Sequence, residues 1–282
     1  MAGSGIYMSP VYDGTVEPIT LQDQYGPVDI YMLPFVKPAN IRRFYPEEPT
    51  ESYTQAVTTA VRHMDADLSR RNILMTHQFV TGASRSESEE ISVGGTDNVD
   101  ASAFQGFDYV ALGHIHGPQN VGSPYIRYCG TPLKYSFSEA KQEKSVTVVE
   151  LLEKGEVSVR TIPLTPMRDM RELKGSYLEL TARDAYEGTD REDYLHITLT
   201  DEEDIPYAVE KLRVIYPKLL KLDYDNTRTR SSAVLQLAEE QEALSPLELF
   251  SQLYEQQNGQ PMSEEQKNFS QELMEKIWGD ER

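Results

Sequence analysis

Short apolar runs recur along the first part of the chain, separated by polar stretches. Ile6-Tyr7-Met8, Val28-Asp29-Ile30-Tyr31-Met32-Leu33, Ile73-Leu74-Met75, Tyr125-Ile126-Arg127-Tyr128 and Ser145-Val146-Thr147-Val148-Val149-Glu150 predict strands. Phe107-Asp108-Tyr109-Val110-Ala111-Leu112 predicts a buried one. Residues 52–70 have helical spacing, entered through Pro49-Thr50-Glu51, which offers a turn and a cap. Residues 82–100 form a long polar loop whose acids read as a solvated face.

After Pro163 and Pro166 the texture changes. Residues 168–175 lead into Tyr177-Leu178-Glu179-Leu180, then a strand at His196-Ile197-Thr198-Leu199. A helix over about residues 205–216 and a strand at Leu219-Leu220-Lys221-Leu222-Asp223-Tyr224 complete a β-β-α-β module. From Leu244 onward, apolar residues recur at three- and four-residue spacing. They predict two amphipathic helices separated by Asn258-Gly259-Gln260-Pro261. Packing on the chain's own domain and docking to a partner are both open for these stripes. The boundaries read as 1–165, 166–232 and 233–282.

Composition narrows the classes. A chain of 282 residues with 39% hydrophobic content is globular and long enough for two modest domains. No apolar stretch reaches the roughly 20 residues that cross a bilayer, and no leader-like n- and h-region opens the chain. The expectation is a soluble, cytoplasmic protein. Cys129, the only cysteine, is expected to be a small buried hydrophobe in a reducing compartment. A net charge of −19 excludes a freestanding basic DNA-binding surface. Acids gather late, at Glu239, Glu240, Glu242, Glu248, Glu255, Glu264, Glu265, Glu272 and Glu275. Nucleic acid would therefore be met at one local site or through a partner.

Candidate chemistry lies at strand ends. Gly113-His114-Ile115-His116-Gly117 follows one apolar run and His77 ends another, so three of the five histidines fall where open sheets collect ligands. A neutral imidazole offers its lone pair near neutral pH, and Gly113 lets the backbone turn sharply. His63 and His196 lie inside regular patterns and are given no chemistry.

Gly5-Ile6-Tyr7-Met8-Ser9-Pro10-Val11-Tyr12-Asp13-Gly14, Tyr31-Met32-Leu33-Pro34-Phe35-Val36-Lys37-Pro38-Ala39, Asn72-Ile73-Leu74-Met75-Thr76-His77-Gln78, residues 107–119 and Tyr128-Cys129-Gly130-Thr131-Pro132-Leu133 resemble, in that order, the SbcD family. These are calcineurin-like metallophosphoesterases, nuclease subunits that act with a coiled-coil ATPase. The resemblance implies an α/β (α+β) fold: the C-terminal part of a β-sandwich flanked by helices, a small α+β capping domain facing DNA, and terminal ATPase-docking helices. It implies a two-metal manganese centre, with His77 and His114 as ligands of one ion and His116 of the other. Gln78 and Gln119 would brace the imidazoles. Leu247, Phe250, Leu253, Tyr254, Leu273 and Ile277 would contact the ATPase, in a homodimer within a heterotetramer.

The family's upstream motifs are an Asp-x-His, a Gly-Asp stretch with the bridging aspartate, and a Gly-Asn-His-Asp element with the catalytic histidine. None stands at such a place here. The chain thus resembles an SbcD without about its first third, begun at an internal methionine. Three imidazoles without the bridging carboxylate would hold metal poorly, so the expectation is inactivity alone, with one side of the central sheet uncovered. Two other readings are a non-catalytic protein that docks the ATPase, and a three-histidine zinc hydrolase.

Overall fold

The computed structural model describes residues 5–86, 97–229, 247, 250–251, 253–255 and 261–279. The chain divides into two compact units, Met1–Leu133 with Gln142–Leu164, and Lys134–Lys141 with Thr165–Arg282.

The first unit is built on a six-stranded sheet. Its strands are β1 (Ile19–Asp23), β2 (Gly26–Leu33), β3 (Arg71–His77), β6 (Tyr109–Gly113), β7 (Gln119–Val121) and β8 (Ser123–Tyr128), ordered β1-β2-β3-β6-β8-β7. The four central strands are parallel and the two edges antiparallel. Parallel neighbours need long crossovers. The β2–β3 crossover carries α1 (Pro38–Arg42) and α2 (Tyr53–Arg62). The β3–β6 crossover carries the short pair β4 (Phe79–Val80) and β5 (Asn98–Val99). A separate hairpin pairs β9 (Ser145–Leu151) with β10 (Val157–Pro163).

Alternation decides what each strand buries. Leu74 and Thr76 of β3 are buried while Met75 between them is 45% exposed. The buried face meets Tyr31, Leu33, Ile41, Val57, Ala60, Val110, Leu112 and Tyr128 in one core. Full burial of each aliphatic side chain stabilises by roughly 2 kcal/mol.

Several expectations need correction. The helix expected over 52–70 ends at Arg62. Ser52, not the preceding turn, caps it, accepting from Gln55 N–H at 3.2 Å. His63 then stacks on Tyr45 at 3.7 Å and bonds Glu48, and Asp65 turns left-handed at φ 47°. Ile6-Tyr7-Met8 forms no strand and stays exposed, since no neighbour pairs with it among the described residues. Cys129 is exposed: it follows buried Tyr128 where β8 ends, so alternation turns it outward. Asp97 is buried, because Arg85 pairs with it at 3.0 Å.

The second unit holds a parallel sheet, β11 (Met170–Gly175), β12 (Tyr194–Leu199) and β13 (Leu219–Tyr224), in that order. Tyr177-Leu178-Glu179-Leu180, expected to extend, is helix α3 (Tyr177–Thr181). Ser176 caps it and Glu179 answers reciprocally, which outweighs the local alternation. Next come α4 (Arg183–Tyr186) and α5 (Ala208–Ile215). Leu195, Ile197 and Leu199 of β12 bury against Leu212 of α5 and Tyr216 just after it. On the opposite face His196 bonds Glu172 at 3.1 Å and Asp223 at 2.8 Å. The last helix, α6, runs over Glu264–Gly279.

Candidate metal centre

β3 and β6 end side by side. His77 is in register with Gly113, so His114 leaves the sheet one residue beyond its neighbour strand's histidine. The His77 and His114 rings meet at 5.3 Å between centroids and 90° between planes. Gly113 makes this approach possible: a Cβ there would lie 2.8 Å from His77 Nδ1. His114 itself sits at φ 106°, a conformation a non-glycine residue adopts only under tertiary constraint. Phe35 flanks His77 at 6.4 Å and Phe79 flanks His114 at 6.2 Å. His77 stays exposed at the strand end, and partial desolvation there lowers its pKa, favouring the neutral ring whose lone pair can bind a metal.

His116 is placed through its backbone. Its carbonyl accepts from Thr131 N–H at 3.0 Å, from Lys144 Nζ at 3.0 Å and, more weakly, from Thr131 Oγ1 at 3.5 Å. Gly130 permits this clasp at φ 77°, where a Cβ would stand 2.6 Å from the same oxygen. Lys144 is almost wholly buried and also donates to Gln142 Oε1 at 2.8 Å and Thr131 Oγ1 at 2.9 Å. Sequence reasoning missed Gly130, Thr131 and Lys144; the Gly130-Thr131-Pro132 turn was the one local signal for them.

Neither glutamine braces an imidazole. Gln78 is fully buried and reaches Val36 O at 3.5 Å, while its Oε1 has no hydrogen bond. Gln119 exchanges two bonds of 2.8 Å with the Ser84 backbone. In the C-terminal region Phe250, Leu253 and Leu273 are 40%, 52% and 46% exposed. Leu247 and Tyr254 are half-buried, and Tyr254 Oη accepts from Gln266 of α6 at 2.8 Å. The Ile277 side chain lies outside the described residues.

The donor set is thus two imidazoles in contact and a third residue fixed close by in sequence. Among the described residues, no three or more His, Cys, Asp and Glu gather as a metal site. Divalent ions that act on phosphates need carboxylate oxygens as well as imidazole nitrogens. These residues supply part of such a centre and do not fit a whole one.

Residues 166–258 match the protein-family model SbcD_C, described as the type 5 capsule protein repressor C-terminal domain. The SbcD subunit of nuclease SbcCD from Staphylococcus epidermidis is 30% identical over 220 residues, 77% of this chain and 58% of that protein. Its counterpart from Staphylococcus saprophyticus subsp. saprophyticus is 33% identical over 222 residues, 78% of this chain and 57% of that protein. The chain is similar to SbcD over more than three-quarters of its length. Its SbcD likeness runs through both the unit with the six-stranded sheet and the smaller module, in a mixed α/β fold as the sequence implied. It spans less than three-fifths of the length of these two SbcD relatives.

Proposed function

We propose that this chain carries the histidine-bearing part of an SbcD-type nuclease subunit, acting on DNA phosphodiesters with divalent metal, manganese by family. The observation that supports this most is the orthogonal His77–His114 pair at the ends of adjacent parallel strands. In this reading His77 and His114 serve one ion and His116 the other, held at its station by Thr131 and Lys144. The module around β11–β13 caps the DNA, and the C-terminal helices dock a coiled-coil ATPase. Because the carboxylates of a complete centre are not gathered among the described residues, the chain alone is expected to hold manganese weakly and to cleave nothing.

The test is manganese binding followed by the spectrum of the free ion, alongside cleavage of end-labelled duplex DNA. Weak binding lost in His77→Ala/His114→Ala is the expected outcome, with no cleavage by wild type or His116→Ala. Binding unchanged by the double substitution would remove the imidazole centre. Cleavage by wild type that His116→Ala abolishes would show the centre to be complete.

A further inference from the structure

A cleft of about 600 Å³ in the first unit includes Gly117 and Pro118 in its lining, directly after the His114–His116 turn. Ligand sites commonly measure about 300–1,000 Å³, several times the volume of one phosphate group. Among the described residues, Arg85, Arg127 and Lys144 line it with Glu143 as the one carboxylate. In a chain of net charge −19 that local balance runs against the whole.

The three cations are not equivalent. Arg85 is committed to Asp97, with both carboxylate oxygens within 3.2 Å, and lies over the Phe79 ring. Lys144 is occupied by the His116 clasp. Arg127 has only neutral partners, Asn120 Oδ1 at 2.7 Å and Thr147 Oγ1 at 3.3 Å. No carboxylate lies within ion-pair reach of it among the described residues, and its Nη2 makes no hydrogen bond there. A guanidinium so placed presents an open edge, the geometry that recognises phosphate oxygens.

The surrounding face is rich in donors. In the β9–β10 hairpin Thr147 pairs with Thr161 and Ser145 with Pro163, so these four share one face, the one Arg127 reaches through Thr147. Two residues before Arg127, on the same side of β8, Tyr125 is 41% exposed and offers a ring to an unstacked base.

We propose that this cleft binds the sugar–phosphate backbone of a nucleic-acid strand, with Arg127 as its principal phosphate contact. The inference deepens the nuclease reading and rests on it for the identity of the ligand. It would lead the strand past the turn that bears His116.

The experiment uses the whole chain in EDTA, so that binding is read apart from any metal centre. Anisotropy of a fluorescent single-stranded oligonucleotide is followed from about 50 mM salt upward, because phosphate contacts weaken with salt. Arg127→Glu should weaken binding about tenfold or more and lower the salt slope by about one, as loss of a phosphate contact does. Arg127→Gln, which removes charge without inverting it, should weaken binding less. Arg62→Glu, the same charge change at an exposed residue that ends α2, should leave affinity unchanged. No binding by wild type, or equal affinity of the Arg127 and Arg62 variants, overturns the proposal. Displacement by inorganic phosphate as complete as by unlabelled strand, at matched ionic strength, overturns the strand assignment. Binding through Arg127 by a chain that fails the manganese test would sink the nuclease reading and leave the cleft standing.

Discussion

Replacing Gly130 by alanine would place a methyl group 2.6 Å from the His116 carbonyl, an oxygen already engaged by Thr131 and Lys144. The substitution also forces alanine to φ 77°. Left-handed backbone alone costs about 1–2 kcal/mol. Gly155 has nearly the same φ, 85°, with nothing within 4 Å of its would-be Cβ. Urea unfolding should show Gly155→Ala losing about 1 kcal/mol and Gly130→Ala clearly more. Equal losses would mean that the clasp yields freely. At this scale the sequence disclosed the ligand candidates but not what holds them. His77, His114 and His116 announce themselves by standing at strand ends. Lys144 reaches His116 across 28 residues, and Arg127 is one arginine inside a strand. No periodicity marks a side chain whose meaning comes from a distant carbonyl.

Elements were legible where one period dominated and misread where two signals competed. The strands around Val28, Ile73 and Tyr109 appear where their apolar runs place them, the first two longer than the runs and the third shifted to Tyr109–Gly113. Tyr177-Leu178-Glu179-Leu180 alternates like a strand, yet Ser176 and Glu179 form the reciprocal cap that starts a helix. That signal was in the sequence and was outvoted. The sheet that follows has its own electrostatic logic. His196 on β12 is bracketed by Glu172 of β11 and Asp223 of β13. The Lys221 ammonium holds the Asp223 carboxyl below the usual carboxylate range, helped by His196 and against the burial that raises it. A depressed carboxyl stabilises the fold above its unfolded pKa, and that contribution is lost as pH falls through the folded value. Asp223→Asn should therefore lower the melting temperature near neutrality and make it less sensitive to acid below about pH 4. Parallel melting curves for the two proteins across the acid range would refute the bracket's role.

Over the whole molecule, acid predominates by 46 residues to 27, and the C-terminal region carries helical residues whose apolar side chains are exposed. Phe250, Leu253 and Leu273 are each 40% exposed or more. Exposed apolar side chains at helical spacing suit a partner that covers them. Phe250→Asp/Leu253→Asp should abolish co-purification with a coiled-coil ATPase of the SbcC type while leaving the thermal unfolding of the sheet unit unchanged. Retained co-purification would remove these residues from the interface. The sheet leaves Met75 exposed on one face. Sequence pattern could not show that exposure, because an apolar residue in a strand reads the same whether or not anything lies over it.

The position of Cys129 gives the molecule a built-in handle. Its sulfur is exposed and unique in the chain, and the next residue is the glycine that touches the His116 carbonyl. A thiol-reactive fluorophore would attach once, without mutagenesis, beside the clasp that sets the imidazole turn. Its emission would then report loosening or tightening of that turn as ions, strands or a partner are added.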